Sequence, residues 1–154
     1  MIKILFICHG NICRSPMAEF IMRELLRQQG LEASYEVSSA ATSAEELGNP
    51  VYPAARRKLL QHSIDASGKT ARQMTQADYA YYDYLLGMDM TNIRQMQRIS
   101  GGDPDGKISR LLEGAPTPRD TADPCCTDDF EQAWQDILES CQLILARLTH
   151  DSHS

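Results

Sequence analysis

Hydrophobic positions along the chain alternate between two kinds of pattern. From Lys3 to Ile7 the sequence Lys-Ile-Leu-Phe-Ile is an almost unbroken apolar run of strand length. It is followed by Ala18, Ile21, Met22, Leu25 and Leu26, which recur at helical spacing. A tight loop, Cys8 to Ser15, lies between them. Pro16 suits the first turn of that helix, where its missing N–H costs nothing, and Gly30 closes it. Further on, Tyr35 to Ser39 reads as a second strand, and Pro53 to His62 as a helix turning Ala54, Ala55, Leu59 and Leu60 inward. Asp83 to Met88 is a third strand, a short helix starts near Met90, and a weaker strand covers Lys107 to Leu112. A long amphipathic helix runs from Asp128 to about Leu148, with Phe130, Trp134, Ile137, Leu138, Cys141, Ile144 and Leu145 on one face. Strands alternating with helices predict a parallel sheet covered on both faces, an α/β class fold. No internal repeat is present, and the polar ending, about residues 149–154, is expected to fray.

The 154 residues suffice for one respectable core, and no linker rich in Pro, Gly or Ser divides them, so one domain is expected. With 42% hydrophobic and 23% charged residues the chain is globular in kind, not disordered or fibrous. The apolar start is too short for a membrane span or a signal peptide, which points to a soluble protein that stays where it is made. Five cysteines, at 8, 13, 125, 126 and 141, lack the regular spacing of a secreted disulfide scaffold and fit reduced thiols in a cytoplasm. A formal net charge of -6 argues against a nucleic-acid partner, since phosphate backbones are held by clustered Lys and Arg. An anion bound here must be held locally.

The first loop, Cys8-His9-Gly10-Asn11-Ile12-Cys13-Arg14-Ser15, has the means to do so. Curled backbone N–H groups form a nest, and the helix N-terminus adds unpaired donors and its positive dipole end. The same field favours a thiolate at Cys8. Arg14 offers a planar fork matching two phosphoryl oxygens, and Ser15 has a hydroxyl to donate to the Cys8 sulfur. Gly10 and Asn11 are residue types that tolerate left-handed backbone angles.

The string CHGNICRSPMAE, together with Ser39-Ala40-Ala41-Thr42-Ser43, Ala71-Arg72-Gln73, Met88-Asp89 and Asp123-Pro124, resembles the low-molecular-weight protein tyrosine phosphatases over nearly the whole chain. The resemblance implies a three-layer α/β/α sandwich with a four-stranded parallel sheet in flavodoxin-like order, and a site at the carboxyl end of the first strand. It also implies hydrolysis of phosphotyrosine in proteins, or of small phosphoesters, through a cysteinyl phosphate. Cys8 would be the nucleophile, Arg14 the oxyanion clamp and Asp123 the acid that protonates the leaving oxygen; no metal or cofactor is called for. A phenolate of pKa about 10 departs faster when protonated as it leaves. Asn11, Ser39 and Asp89 match positions that support the loop in the family, although ordinary loop and cap duty would also explain them. Where the family usually has a histidine in that network, this chain has Lys69.

Some readings stay open. Cys13 either packs or, as the resemblance implies, pairs with Cys8 under oxidation. The Cys125-Cys126 pair lacks the spacing of a zinc site. Tyr79, Tyr81, Tyr82 and Tyr84 read as packing. At the pocket mouth Glu45 and Cys125-Cys126 stand where family members usually carry aromatic walls, and His9 replaces a residue more often apolar. Arsenate reductases coupled to thioredoxin share the fold but need cysteines after the third strand, and from Arg14 to Pro124 there is none. Protein arginine phosphatases typically have threonine where Ile12 stands. A non-enzymatic phosphate-binding module is the third alternative.

Overall fold

The computed structural model describes residues 1–152, with side chains placed through residue 150. Its four strands are β1 (Ile2–Cys8), β2 (Tyr35–Ala41), β3 (Tyr84–Gly87) and β4 (Ile108–Arg110). They form one sheet in the order β2-β1-β3-β4, and every pairing is parallel. The helices are α1 (Arg14–Gln28), α2 (Pro53–Gln61), α3 (Gln76–Tyr81), α4 (Met90–Ser100), α5 (Pro124–Thr127) and α6 (Phe130–Ser152).

Because side chains alternate along a strand, β1 serves two cores at once. Ile4, Phe6 and Cys8 face a cluster with Met17, Ile21 and Met22 of α1, Leu59 of α2 and Trp134, Ile137 and Cys141 of α6. Leu5 and Ile7 face the opposite cluster with Tyr79 of α3, Tyr82, and Ile93 and Met96 of α4. A strand buried on both faces has no room for polar residues, which is why its sequence does not alternate. Truncating Phe6, fully buried, would cost on the order of 3 to 5 kcal/mol. Gly87 ends β3 where α4 lies directly on the backbone: a Cβ there would stand 2.8 Å from Met96 Sδ and 2.9 Å from Ile93 Cδ1.

The three-layer architecture and strand order agree with the expectation, and the differences lie at element ends. The last strand stops at Arg110, and Leu111–Gly114 winds into a 3₁₀ turn. Leu60, expected inward, is 55% exposed, since α2 presents only Ala55 and Leu59 to the core. Helix α6 starts at Phe130 and stays helical through Ser152, beyond the expected fraying point; Leu148 is buried and Thr149 bonds back to the Leu145 carbonyl at 2.8 Å. Residues 153 and 154 of the expected tail lie outside the described residues. Helix α3 was not foreseen, although a capping box marks it: the Thr75 hydroxyl accepts from Asp78 N–H, and Thr75 N–H donates to the Asp78 carboxylate.

Candidate active site

Cys8 is the last residue of β1, at the carboxyl edge of the sheet where the chain leaves for β2 on one side and β3 on the other. Open α/β sheets place ligands at such switch points. The loop that follows curls because Asn11 takes a left-handed conformation, φ 59°. Gly10 does not, contrary to expectation; a Cβ there would sit 3.3 Å from Glu46 Cγ, so the glycine provides room.

Hydrogen bonds then fix the curl from within. Asn11 N–H donates to Cys8 Sγ at 3.2 Å, and Ser15 Oγ lies 3.0 Å from the same sulfur. The Asn11 amide donates to Ser15 Oγ at 2.8 Å and to Ser39 Oγ at 2.9 Å, while its oxygen accepts Arg72 N–H. With its lone pair so engaged, the Ser15 hydroxyl has its proton to give to sulfur. The Ser39 hydroxyl in turn donates a hydrogen bond to Glu19 Oε1 at 2.6 Å. Glu19, itself buried, is paired with Arg23 at 2.8 Å and Lys69 at 3.2 Å. Lys69 also donates to the Ser39 carbonyl. Burial pulls the Lys69 ammonium below its ordinary pKa, and Glu19 opposes that fall.

Arg14 opens α1 and is only 4% exposed. Its Nη1 is anchored by the Asp89 carboxylate at 2.9 Å and the Thr121 carbonyl at 2.7 Å. Asp89 in turn caps α4 through Asn92 N–H. A charge this buried needs such a partner, and the anchoring turns Nη2 toward Asp123, 3.8 Å from its Oδ2. Asp123 caps the single turn α5, where its Oδ1 accepts Cys125 N–H at 3.0 Å. Cys8, Arg14 and Asp123 thus line one cleft, together with His9, Gly10, Ile12, Cys13, Glu45, Glu46 and Cys125.

A free thiol in a nest of donors, a caged arginine and a carboxylate across from them suit attack on a phosphoryl group. The model of the family "Low molecular weight phosphotyrosine protein phosphatase" matches residues 3–154. The chain belongs to that family. It is 37% identical over 150 residues to the low molecular weight protein-tyrosine-phosphatase YfkJ of Bacillus subtilis, covering 96% of each chain. It is also 37% identical over 150 residues to the human low molecular weight phosphotyrosine protein phosphatase, covering 94% of each. The crystal structure of YfkJ superposes with a TM-score of 0.94 at 36% identity, covering 98% of this chain and 96% of that one.

For this low molecular weight phosphatase the sequence left Cys13 open between packing and pairing with Cys8, and assigned Cys126 to the pocket mouth. The Cys13 sulfur meets that of Cys125, and Cys8 is free. The loop turns the Cys8 sulfur toward Asn11 and Ser15, while Cys13, at the start of α1, meets the segment that returns from residue 121 onward. Cys126, assigned to the mouth with Cys125, is exposed and lies outside the cleft lining; its sulfur is 3.9 Å from Asp123 Oδ2. Glu45 does stand at the mouth, where its carboxylate meets His9 Nε2 at 3.1 Å. No Phe, Tyr or Trp is among the described residues lining the cleft. Tyr79 and Tyr82 are buried, whereas Tyr81 and Tyr84 are exposed.

Glu19, Glu46 and the Thr121 carbonyl escaped the sequence reading. Glu19 falls between Ala18 and Ile21 on the buried side of α1, and a glutamate at a core position is the one signal that would have pointed to it. Among the described residues no helix is long and apolar enough to cross a membrane, and no group of three or more His, Cys, Asp or Glu is placed to hold a metal.

Proposed function

We propose that this family member hydrolyses phosphotyrosine in proteins, and small aryl phosphates, by double displacement at Cys8. The phosphoryl group sits over the curled loop, where backbone N–H groups from His9 to Arg14 and the Arg14 guanidinium take its oxygens. The Cys8 thiolate attacks phosphorus in line. Asp123 gives its proton to the departing phenolic oxygen, the S–P bond forms and the P–O bond breaks. In the second half Asp123, now a carboxylate, takes a proton from water as the water oxygen attacks phosphorus, and the thiolate leaves with Ser15 donating to it.

The observation that carries this reading is the convergence in one cleft of a sulfur held by two donors, an arginine caged by Asp89 and Thr121, and Asp123 facing that arginine. The names of the relatives support the tyrosine class, and none of those named above supports the reductase or binding-module alternatives. A thiol nucleophile that must stay reduced favours a cytoplasmic site of action, and the net negative charge favours neither nucleic acid nor an anionic membrane surface as partner.

The test is a panel of phosphotyrosine, phosphoserine and phosphoarginine peptides and arsenate with the purified protein. Turnover confined to phosphotyrosine and aryl phosphates is expected. Dominant phosphoarginine hydrolysis or thiol-coupled arsenate turnover would overturn the assignment.

A further inference from the structure

Away from the cleft, at the β4 edge of the sheet, lies a cavity of about 160 Å³. Two periodicities build its walls. Tyr84 and Leu86 are two residues apart on β3, and Leu86 stands in register with Ser109 of β4, so the three side chains share one face of the sheet. Across from them Ser140, Leu143, Ile144, Arg147 and Leu148 recur at helical spacing on α6 and form one stripe. The 3₁₀ turn Leu111–Gly114 adds to the lining. None of these residues lines the cleft around Cys8.

The buried part of the lining is apolar: Leu86, Leu111 and Leu148 are each at most 6% exposed. Three polar side chains join it with bonding capacity left over. Among the described residues, the Tyr84 and Ser109 hydroxyls and the Arg147 guanidinium have no hydrogen-bond or ion-pair partner. Arg147 nonetheless has a fixed seat, because a Cβ on Gly114 would stand 2.8 Å from its Nη2 and 3.2 Å from its Nη1; the glycine leaves the space that the guanidinium fills. Glu113, the one carboxylate in this lining, is engaged by Arg110, which Asp120 also holds. Arg147 is therefore the uncommitted charge at the cavity. A guanidinium fork matches a carboxylate in bidentate fashion, and an apolar space of about 150 Å³ has the size of one six-membered ring.

We propose that this cavity is a second ligand site, which takes a small monocarboxylate bearing one ring or a short branched chain. The apolar body lies against Leu86, Leu111 and Leu148, and Arg147 holds the carboxylate, with the Tyr84 and Ser109 hydroxyls as further donors. A phosphate dianion is disfavoured because Glu113 stands in the same lining. The lining holds no cysteine or histidine, so the ligand is bound there and not attacked. The site is outside the cleft yet close to its support: Arg110 in the wall is paired with Asp120, and the next residue, Thr121, anchors Arg14 through its carbonyl.

The experiment titrates the full chain with phenylacetate by calorimetry while inorganic phosphate saturates the cleft, and nitrogen-edited NMR locates the binding. Phenylacetamide, which keeps the ring and loses the charge, and acetate, which keeps the charge and loses the ring, serve as paired probes. Arg147→Met is titrated alongside; Arg147 is exposed, and circular dichroism checks that the variant folds.

Phenylacetate should bind saturably, with a Kd on the order of 1 mM or tighter for so small a molecule, and shift amides in residues 84–86, 109–115 and 140–148. Phenylacetamide and acetate should each bind about tenfold more weakly or worse. Arg147→Met should weaken phenylacetate about tenfold and leave phenylacetamide unchanged, which a merely misfolded variant would not do. Absence of saturable binding to the wild type would overturn the proposal. So would equal affinity for the acid and the amide, or an Arg147→Met variant that binds phenylacetate normally. Binding that phosphate abolishes, with shifts confined to residues 8–15, would place the carboxylate at Arg14 and equally remove the second site.

Discussion

The phosphate loop and the acid turn face each other across one cleft, yet they are built on opposite principles. Beneath the loop the polar side chains are tied to one another: Asn11 bonds Ser15, Ser39 and Arg72, Ser39 bonds Glu19, and Glu19 bonds Arg23 and Lys69. The acid turn is a single helical turn that buries Pro124, is exposed at Cys125, Cys126 and Thr127, and meets the loop where Asp123 faces Arg14 and Cys125 faces Cys13. Preorganised donors belong where charge develops in the transition state, and mobility is tolerable where a leaving group must escape. In the proposed mechanism the rigid half binds the oxyanion and the adjustable half delivers the proton.

The deepest break in that contrast removes the sulfur itself. Cys8→Ser is expected to abolish aryl phosphate hydrolysis while phosphate binding, followed by calorimetry, persists, since the N–H nest remains. Measurable turnover would separate the loop from the chemistry. Arg14→Lys keeps the charge but loses the fork and its anchors on Asp89 and Thr121, and a loss of about 10²- to 10³-fold in kcat is expected from steady-state assays. A near-normal rate would show that the cage around Arg14 serves packing alone.

Asp123→Ala should cost on the order of 10²-fold with phenyl phosphate and much less with the nitrophenyl ester. A uniform loss would place Asp123 in the structure of the turn and not in the proton transfer.

Lys69→Met tests the far end of the loop network and is a smaller effect. It leaves Glu19 with Arg23 as its one remaining cation and should lower unfolding stability by about 1 to 3 kcal/mol at neutral pH. The wild type adds a pH signature. Burial depresses the Lys69 pKa below 10.5, so the unfolded chain binds the proton more tightly than the folded one. The penalty for burying the charge is therefore present below the folded value and relieved as pH rises toward 10.5. Denaturant titrations across the alkaline range should show this gain in the wild type and not in the Met variant; identical slopes would remove Lys69 from the linkage.

The mildest change concerns the mouth. Glu45→Tyr replaces an acid paired to His9 with a ring, and KM for phosphotyrosine peptides should fall about three- to tenfold, corresponding to roughly 0.5 to 1.5 kcal/mol for an aromatic contact. An unchanged KM would mean that a ring at 45 does not reach the substrate.

The rigid half was also the more legible one. A strand-loop-helix unit is local, and its donors, turn residues and arginine stand within eight consecutive residues from Cys8 to Ser15. The acid turn depends on where residues more than a hundred positions apart come to rest, so nothing local indicated that Cys13 would meet Cys125. Spacing along the chain favours a local partner, and only the fold brings the segment after Thr121 onto the loop. Glu19 was missed for a related reason: helical periodicity marks a position as buried but does not reveal that Ser39 and Lys69, from two other segments, arrive to satisfy a carboxylate there. Helix α3 was missed despite a readable capping box because its six residues offer too little periodicity to outweigh the aromatic content.

Strand β1 lies between β2 and β3, and its partners in β3 start at Tyr84, eighty positions from Ile4. A chain folding from local contacts outward can close the β1–α1–β2 unit early, but the arginine of that unit finds Asp89 and Thr121 only after the remaining strands have docked. Such a folding intermediate would hold a formed loop and an unanchored guanidinium. Competence to bind phosphate and competence to turn it over should therefore appear at different times during refolding, with hydrolysis the last property the chain acquires.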